Sequence, residues 1–254
     1  MKRRTRTIRR IVLKGLAVVI GLPFLAWLLL PWPIALKWND PERTSFMKYR
    51  IAQAAEKGED FELRHDWIPL AQMSTEIPRA VILAEDQRFR LHGGVDWEAL
   101  GEELDYDGEP PFSWLSPSDW AAVGRAVRRG WSERSEVKGR STLTQQLAKN
   151  LYFTPERSLR RKVGEFVVAQ RLEWFLDKDR ILEVYLNTAE FGPGIFGVEA
   201  ASRAYFGVGA SRLDRWQAAT LAATLPHPLT SNPTTRPGEM SWRRDRILGM
   251  MGGR

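Results

Sequence analysis

The longest apolar run in the chain comes first. Gly15 to Leu36 are 22 residues without a charge. As a helix at about 1.5 Å per residue they reach roughly 33 Å, close to the ~30 Å hydrocarbon core of a bilayer. Trp27, Trp32 and Trp38 fall at the far end, where an interfacial aromatic belt sits. Pro23 would kink the helix, which a membrane span tolerates. A cleaved signal peptide is the rival reading. No small-x-small site precedes a polar stretch here, and the run ends Leu-Leu-Leu-Pro-Trp-Pro instead. Beyond it, Asp66 to Leu70 reads as extended, because Pro69 forces Ile68 out of helix. Apolar spacing near the helical period predicts helices from about Pro78 to the acids at 85–86, over 142–151, over 158–176, over 180–187 and over 200–205. An Ala-rich amphipathic helix is expected over 213–225 and a charged one from about Met240. Residues 105–118, crowded with Pro, Gly, Ser and Asp, read as a loop, and Ser118 and Asp119 could cap a short helix after it. Alternating patterns are scarce, so the body is expected to be mostly α.

Charge changes how the apolar run is read. The formal net charge is +7, which by itself would invite a nucleic-acid partner. Lys2, Arg3, Arg4, Arg6, Arg9, Arg10 and Lys14 carry all of that excess, and residues 15–254 are formally neutral. A basic flank before an apolar span points to a membrane, with the flank on the cytoplasmic side and residues from about Lys37 outside. Nucleic acid is not an expected partner. The organisation read from the chain is therefore a basic tail at 1–14, a transmembrane anchor at 15–36, a juxtamembrane linker at 37–65 and a domain at 66–254. With no cysteine there is neither disulfide nor thiolate metal site. The histidines His65, His92 and His227 are scattered and suggest no metal site.

Four segments bear chemistry. Glu85 and Asp86 close an apolar helix and run into Phe89, His92 and Gly94. A carboxylate at the end of an apolar segment is partly desolvated, which suits a general acid or base; a solvated helix end is the plain alternative. Ser141 or Thr142 can cap the next helix, with Gln145, Gln146 and Lys149 near one face. Hydroxyl, amide and ammonium groups together suit a sugar and a phosphate, although a polar face usually meets solvent. Arg157, Arg161, Lys162 and Glu165 form either surface ion pairs or a cationic grip on a pyrophosphate. Tyr185-Leu186-Asn187 and Glu190-Phe191-Gly192 read mostly as core, with Asn187 the polar exception or a helix cap. Gly192 to Gly197 also spells G-x-G-x-x-G, but no strand is expected before it, so a dinucleotide site lacks its context.

In this order the segments resemble the motifs of glycosyltransferase family 51, the peptidoglycan glycosyltransferases. E-D-x-x-F-x-x-H-x-G is met by Glu85, Asp86, Phe89, His92 and Gly94, and G-x-S-T-x-x-Q-Q by Gly139, Ser141, Thr142, Gln145 and Gln146. R-K-x-x-E is met by Arg161, Lys162 and Glu165, and a fourth motif resembles Tyr185-Leu186-Asn187 and its glycine-rich sequel. A fifth, apolar segment holds Ala222, Ala223 and Pro226. Ser45 to Lys48 and Ser135 to Lys138 spell S-x-x-K, but no K-T-G follows, so a penicillin-binding transpeptidase domain is not expected. The stretch 95–138 looks longer than the family pattern.

The resemblance implies a lysozyme-like, mostly α domain with a larger head lobe and a smaller jaw lobe. It implies that lipid II is polymerised into glycan strands at the outer face of a bacterial inner membrane, for cell wall biogenesis. Glu85 would be the base and Glu165 the second catalytic carboxylate. Asp86, Phe89, His92, Ser141, Thr142, Gln145, Gln146, Lys149, Arg157, Arg161, Lys162 and Asn187 would line the substrate site. Carboxylates beside a pyrophosphate suit a hard cation such as Mg²⁺; no organic cofactor is expected. Partners would be lipid II, the nascent lipid-linked strand, the bilayer and other cell-wall synthesis and division proteins. A lytic enzyme, using two carboxylates to cleave glycans, and a non-catalytic cell-wall scaffold are the alternatives.

Overall fold

The structure, a computed structural model, describes residues 21, 24–103, 118, 121–122, 124–125, 141–156 and 158–252. The basic tail, residues 15–20 and 22–23 of the expected span and most of 95–138 lie outside these, as do residues 105–117 of the expected loop and most of the short helix after it. Of the span, residues 24–29 are helical, and a 3₁₀ turn, Pro33–Lys37, follows. Among the described residues no helix is long and apolar enough to cross a membrane.

The described chain is mostly helical. Helix α1, Ser45–Lys57, occupies the segment read as a linker. Thr44 caps it by accepting the Met47 N–H at 3.1 Å, and Gly58 ends it in the left-handed region at φ 67°. Helix α2, Glu76–Glu85, starts just before Pro78, which is tolerated in a first turn. It buries Ile77, Ala80 and Val81. A short α3, Trp97–Glu103, follows. Helices α4, Leu143–Tyr152, α5, Leu159–Phe175, and α6, Lys178–Thr188, are each capped by an oxygen the sequence supplies at that point: Thr142, Ser158 and Asp177. Each such cap contributes about 1 kcal/mol. Helix α7 is Val198–Phe206, α8 is Arg215–Thr224 with an Asp214/Gln217 capping box, and α9 is Pro237–Met250.

Two groups pack side by side: α2 with α8 and α9, and α4 with α5, α6 and α1. One buried cluster runs through both, including Ile77, Leu147, Leu172, Leu182 and Leu221. Each such side chain contributes about 1.5–3 kcal/mol by its burial. The two lobes implied by the resemblance therefore have no separate cores among the described residues. Helix α8 corrects another expectation. It is not amphipathic, because α2, α9 and α7 all pack on it and every residue from Ala218 to Thr224 is buried.

A three-stranded sheet, ordered β1-β3-β2, joins Arg64–His65 (β1), Glu190–Gly192 (β2) and Ile195–Phe196 (β3). The glycine-rich stretch thus does follow a strand, contrary to expectation. Its glycines still serve the backbone. Gly194, at φ 73°, and Gly197, at φ 81°, would each drive a Cβ into a carbonyl oxygen, that of Glu62 at 2.3 Å and of Asn187 at 2.7 Å. We expect Gly197→Ala to destabilise the fold by at least about 1–3 kcal/mol from backbone strain. Thermal unfolding checks this, and a melting curve superimposable on the parent's would contradict it.

Candidate active site

The last helical residue of α2 is Glu85, set half-buried on the rim of a cleft of about 210 Å³ between α2, α8 and α9. A second cavity of about 330 Å³ lies beyond Pro226, lined by Gln146, Lys149, Tyr185, Arg50 and Glu190 among others. Gln146 links the two. Its amide nitrogen donates to Glu85 Oε2 at 2.8 Å and to the Ser141 carbonyl at 3.2 Å. Its amide oxygen accepts from the Tyr185 hydroxyl at 2.9 Å. Tyr185 is wholly buried, and burial, with Glu85 and Asp86 adding to it, pushes its pKa well above the usual phenol range. Tyr185 therefore stays protonated and donates. That fixes which end of the Gln146 amide faces Glu85.

Asp86 does a different job. Its Oδ2 accepts the Leu143 N–H at 3.0 Å, and its Oδ1 lies 2.9 Å from His92 Nε2. A carboxylate at the start of α4 satisfies an orphan donor and faces the positive end of the helix dipole. The adjacent Thr142 hydroxyl donates to the Gly94 carbonyl at 2.6 Å while accepting from Gln145 N–H. Asp86, His92 and Thr142 thus lock the end of α2 to the start of α4. Most of their polar atoms are engaged by the protein. His92 Nδ1 alone is left buried without a partner.

The third segment folds as a cation cluster around one acid. Glu165 is only 3% exposed. Arg161 donates to its Oε1, and Lys162 Nζ lies 3.4 Å from its Oε2. Lys162 also donates to the Ser141 hydroxyl at 2.7 Å. The surface ion-pair alternative is thereby corrected: the acid is inside. Lys149, one turn along α4 from Gln146, completes the group. Burial pushes its pKa below the usual lysine range, helped by Arg161 and Lys162 and opposed by Glu165 and Glu85. These influences tie Glu85, Lys149, Arg161, Lys162 and Glu165 into one electrostatic field. Arg157 lies outside the described residues.

Two expected site residues are elsewhere. Phe89 is wholly buried in the core, with Lys178 Nζ 4.5 Å from its ring centroid. Asn187 is also wholly buried. Its Oδ1 accepts the Ile68 N–H, and its Nδ2 donates to the carbonyls of Ile68 and Glu183, all at 2.9 Å. With its amide engaged by backbone on both sides, Asn187 pins the 66–70 segment. Gln145 is half-buried at the third position of α4, where its N–H serves the Thr142 cap.

The sequence reading missed Arg50 and Glu190. They form a two-pronged ion pair, Nε to Oε1 and Nη2 to Oε2, both 2.9 Å, across 140 residues. Burial raises the Glu190 pKa, against the pull of Arg50 and Lys149. No local signal marks Arg50. Only its place on α1, facing Glu190 across the second cavity, reveals it.

The residues do not fit a resident Mg²⁺. Glu165 is already neutralised by two cations, whose repulsion a divalent ion would meet. Among the described residues only Asp86, His92 and Asp96 bring possible ligand atoms together, within 4.8 Å. There the Asp86 oxygens are engaged, and Arg88 Nε lies 3.3 Å from Asp96 Oδ2.

Residues 52–106 and 112–252 match the sequence model of a family described as Transglycosylase. The chain is 39% identical over 231 residues to a biosynthetic peptidoglycan transglycosylase of Azoarcus sp. (strain BH72), covering 88% of this chain and 90% of that protein. To the protein of the same description from Janthinobacterium sp. (strain Marseille) it is 38% identical over 247 residues, covering 95% and 97%. To that from Aromatoleum aromaticum it is 40% identical over 215 residues, covering 84% and 83%.

Proposed function

The chain belongs to the transglycosylase family, and from that premise we propose how its site polymerises peptidoglycan. The enzyme is a glycosyltransferase of cell wall synthesis. Its donor is a growing glycan chain held through a lipid-linked pyrophosphate, and its acceptor is lipid II, which offers the 4-hydroxyl of its N-acetylglucosamine. Glu85 takes the hydroxyl proton as the oxygen attacks the donor anomeric carbon. The new C–O bond forms on one face, the bond to pyrophosphate breaks on the other, and the anomer inverts. The leaving group departs as undecaprenyl pyrophosphate, with negative charge growing on its bridging oxygen.

The observation that carries this reading is the Gln146 bridge. An amide locked by the Tyr185 hydroxyl presents its N–H to Glu85, and Lys149 follows one turn on. The amide that orients the base and one leaving-group cation, Lys149, are thus set one turn apart on α4, against Glu85 at the end of α2, and charge preorganised in this way is often the largest catalytic term. Glu165 holds Arg161 and Lys162 in place toward the pyrophosphate, and Ser141, hydrogen-bonded to Lys162, extends the same group. Arg157 would add to it. The cation cluster disfavours glycan cleavage, which has no phosphate to grip. Detergent-solubilised protein incubated with purified lipid II should yield glycan strands and release undecaprenyl pyrophosphate, and purified sacculi should stay intact. Muropeptide release from sacculi with lipid II untouched would overturn the reading.

The protein works at the cell envelope, and we propose a single-pass anchor in the inner membrane. The N-terminus then lies in the cytoplasm and the catalytic domain outside. Support comes from the uncharged run 15–36 behind a basic tail. Phe24, Leu25 and Leu29 at its described end are exposed, as are Leu159, Val163, Phe166 and Trp174 along one face of α5. Those four fall at i, i+4, i+7 and i+15, one stripe of a helix.

A further inference from the structure

Arg171, on α5, is wholly buried, and burial lowers its pKa, with no carboxylate among the described residues to offset the cost. A buried cation without an acid partner is expensive. Its guanidinium is met instead by the chain leaving the apolar helix. Nη1 donates to the carbonyls of Leu30 at 2.6 Å and Pro31 at 2.9 Å, and Nη2 to that of Trp27 at 2.5 Å. These are carbonyls at or just past the end of the helical residues 24–29, where the negative end of the dipole lies, and the Trp27 carbonyl also accepts the Leu30 N–H at 3.3 Å. Two indole rings close the box, Trp32 at 3.8 Å and Trp27 at 4.6 Å from the guanidinium carbon. Further along the exit, Arg180 on α6 repeats the pattern. It donates to the carbonyls of Leu36 at 2.8 Å and Asn39 at 3.1 Å and pairs with Asp40 at 2.7 Å.

A tether alone would need none of this; a flexible linker holds a domain near a membrane without ordered contacts. We infer that Arg171, supported by Arg180, is a positioning residue that clamps the anchor exit to the catalytic domain, so that anchor and active site turn as one body. Glu165 lies six residues earlier on the same helix, about 9 Å along its axis. Fixing α5 against the anchor therefore fixes the pyrophosphate site against the bilayer that holds the substrate's lipid. This inference rests on the single-pass anchor proposed above.

The test uses the full chain, Arg171→Met and Arg171→Lys, with lipid II supplied either in liposomes or in detergent micelles. Arg171→Met should lose about tenfold in kcat/KM in liposomes and stay within twofold in micelles, and Arg171→Lys should recover part of the loss. The chain has no cysteine, so spin labels on Leu25→Cys and Glu56→Cys report the anchor-to-domain distance. That distribution should be narrow in the parent and broad in Arg171→Met. Where Arg171→Met does not fold, Trp32→Leu removes one wall of the box and should show the same split. Equal losses in both lipid environments, or an unchanged distance distribution, would overturn the clamp alone. Release of the parent protein from membranes by alkaline carbonate would overturn the anchor reading and the clamp with it.

Discussion

Glu85→Gln should cut lipid II polymerisation by about 10²–10⁴-fold, the range of a lost general base, while the protein stays folded. A thousandfold loss corresponds to about 4 kcal/mol of transition-state stabilisation. The substitution is suited to the question because it changes one proton-accepting atom and little else. Gln146 donates to Glu85 Oε2, and a glutamine carbonyl at the same place can still accept that bond, though without the charge that strengthens it. The helix carrying it is held by Ile77, Ala80 and Val81, which the change does not touch. The amide keeps shape and hydrogen bond but has no basicity to take the acceptor proton. The loss should therefore appear in kcat, with KM for lipid II little changed, since the group acts only as the hydroxyl is activated. Thermal stability within about 1.5 kcal/mol of the parent, the net worth of a single hydrogen bond, would show that the loss is chemical. A variant that polymerises at near-parent rates would end the base assignment.

Much of this site was legible because its parts are local. Glu85 ends an apolar helix, and Thr142 and Ser158 open the next helices with cap oxygens. Their spacing along the chain places Gln146 and Lys149 one turn apart, and Glu165 within reach of Arg161 and Lys162. What escaped was set by tertiary packing. Nothing in the order of residues brings Arg50 to Glu190, because the pair depends on α1 docking across α4. A linker reading of 37–65 hid that helix, whose mostly polar face gave no strong period. Asn187 looked like a ligand because a polar residue interrupts an apolar helix. Its amide is consumed by the backbone of Ile68, a partner 119 residues away. Helix α8 looked amphipathic because alanine is small enough to pass for either face, and only three packed neighbours decide that everything beyond its first turn, Ala218 to Thr224, is buried. Family resemblance pointed to segments that the fold brings together, but could not foresee that Asp86 and His92 pair with each other and tie the end of α2 to the start of α4.

Lys149→Ala should lose about 10²–10³-fold in kcat/KM, the scale seen when one preorganised donor to a developing anion is removed. Lys149 sits between the Gln146–Glu85 bridge and the Arg161–Lys162–Glu165 group, where burial and two neighbouring cations make its charge costly and two acids repay part of it. That cost is what the pyrophosphate recovers: a half-desolvated ammonium gains more from an arriving anion than a hydrated one does. The same physics sets the pH dependence. The leaving group needs Lys149 protonated, and its pKa lies below the usual lysine range. Activity should therefore fall on an alkaline limb earlier than an ordinary lysine, at about 10.4, would give. Lys149→Arg keeps a charge that does not titrate there and should move this limb outward even where its rate is lower. Stability has the opposite sign. The unfolded chain binds more protons between the lowered folded pKa and the unfolded value, so the Lys149 contribution makes stability rise with pH across that window. Lys149→Met should flatten this rise. Falling activity with rising stability over one alkaline interval, both removed by substituting a single lysine, cannot come from general alkaline unfolding. An alkaline limb left in place by Lys149→Arg would show that another group titrates and that Lys149 does not face the leaving pyrophosphate.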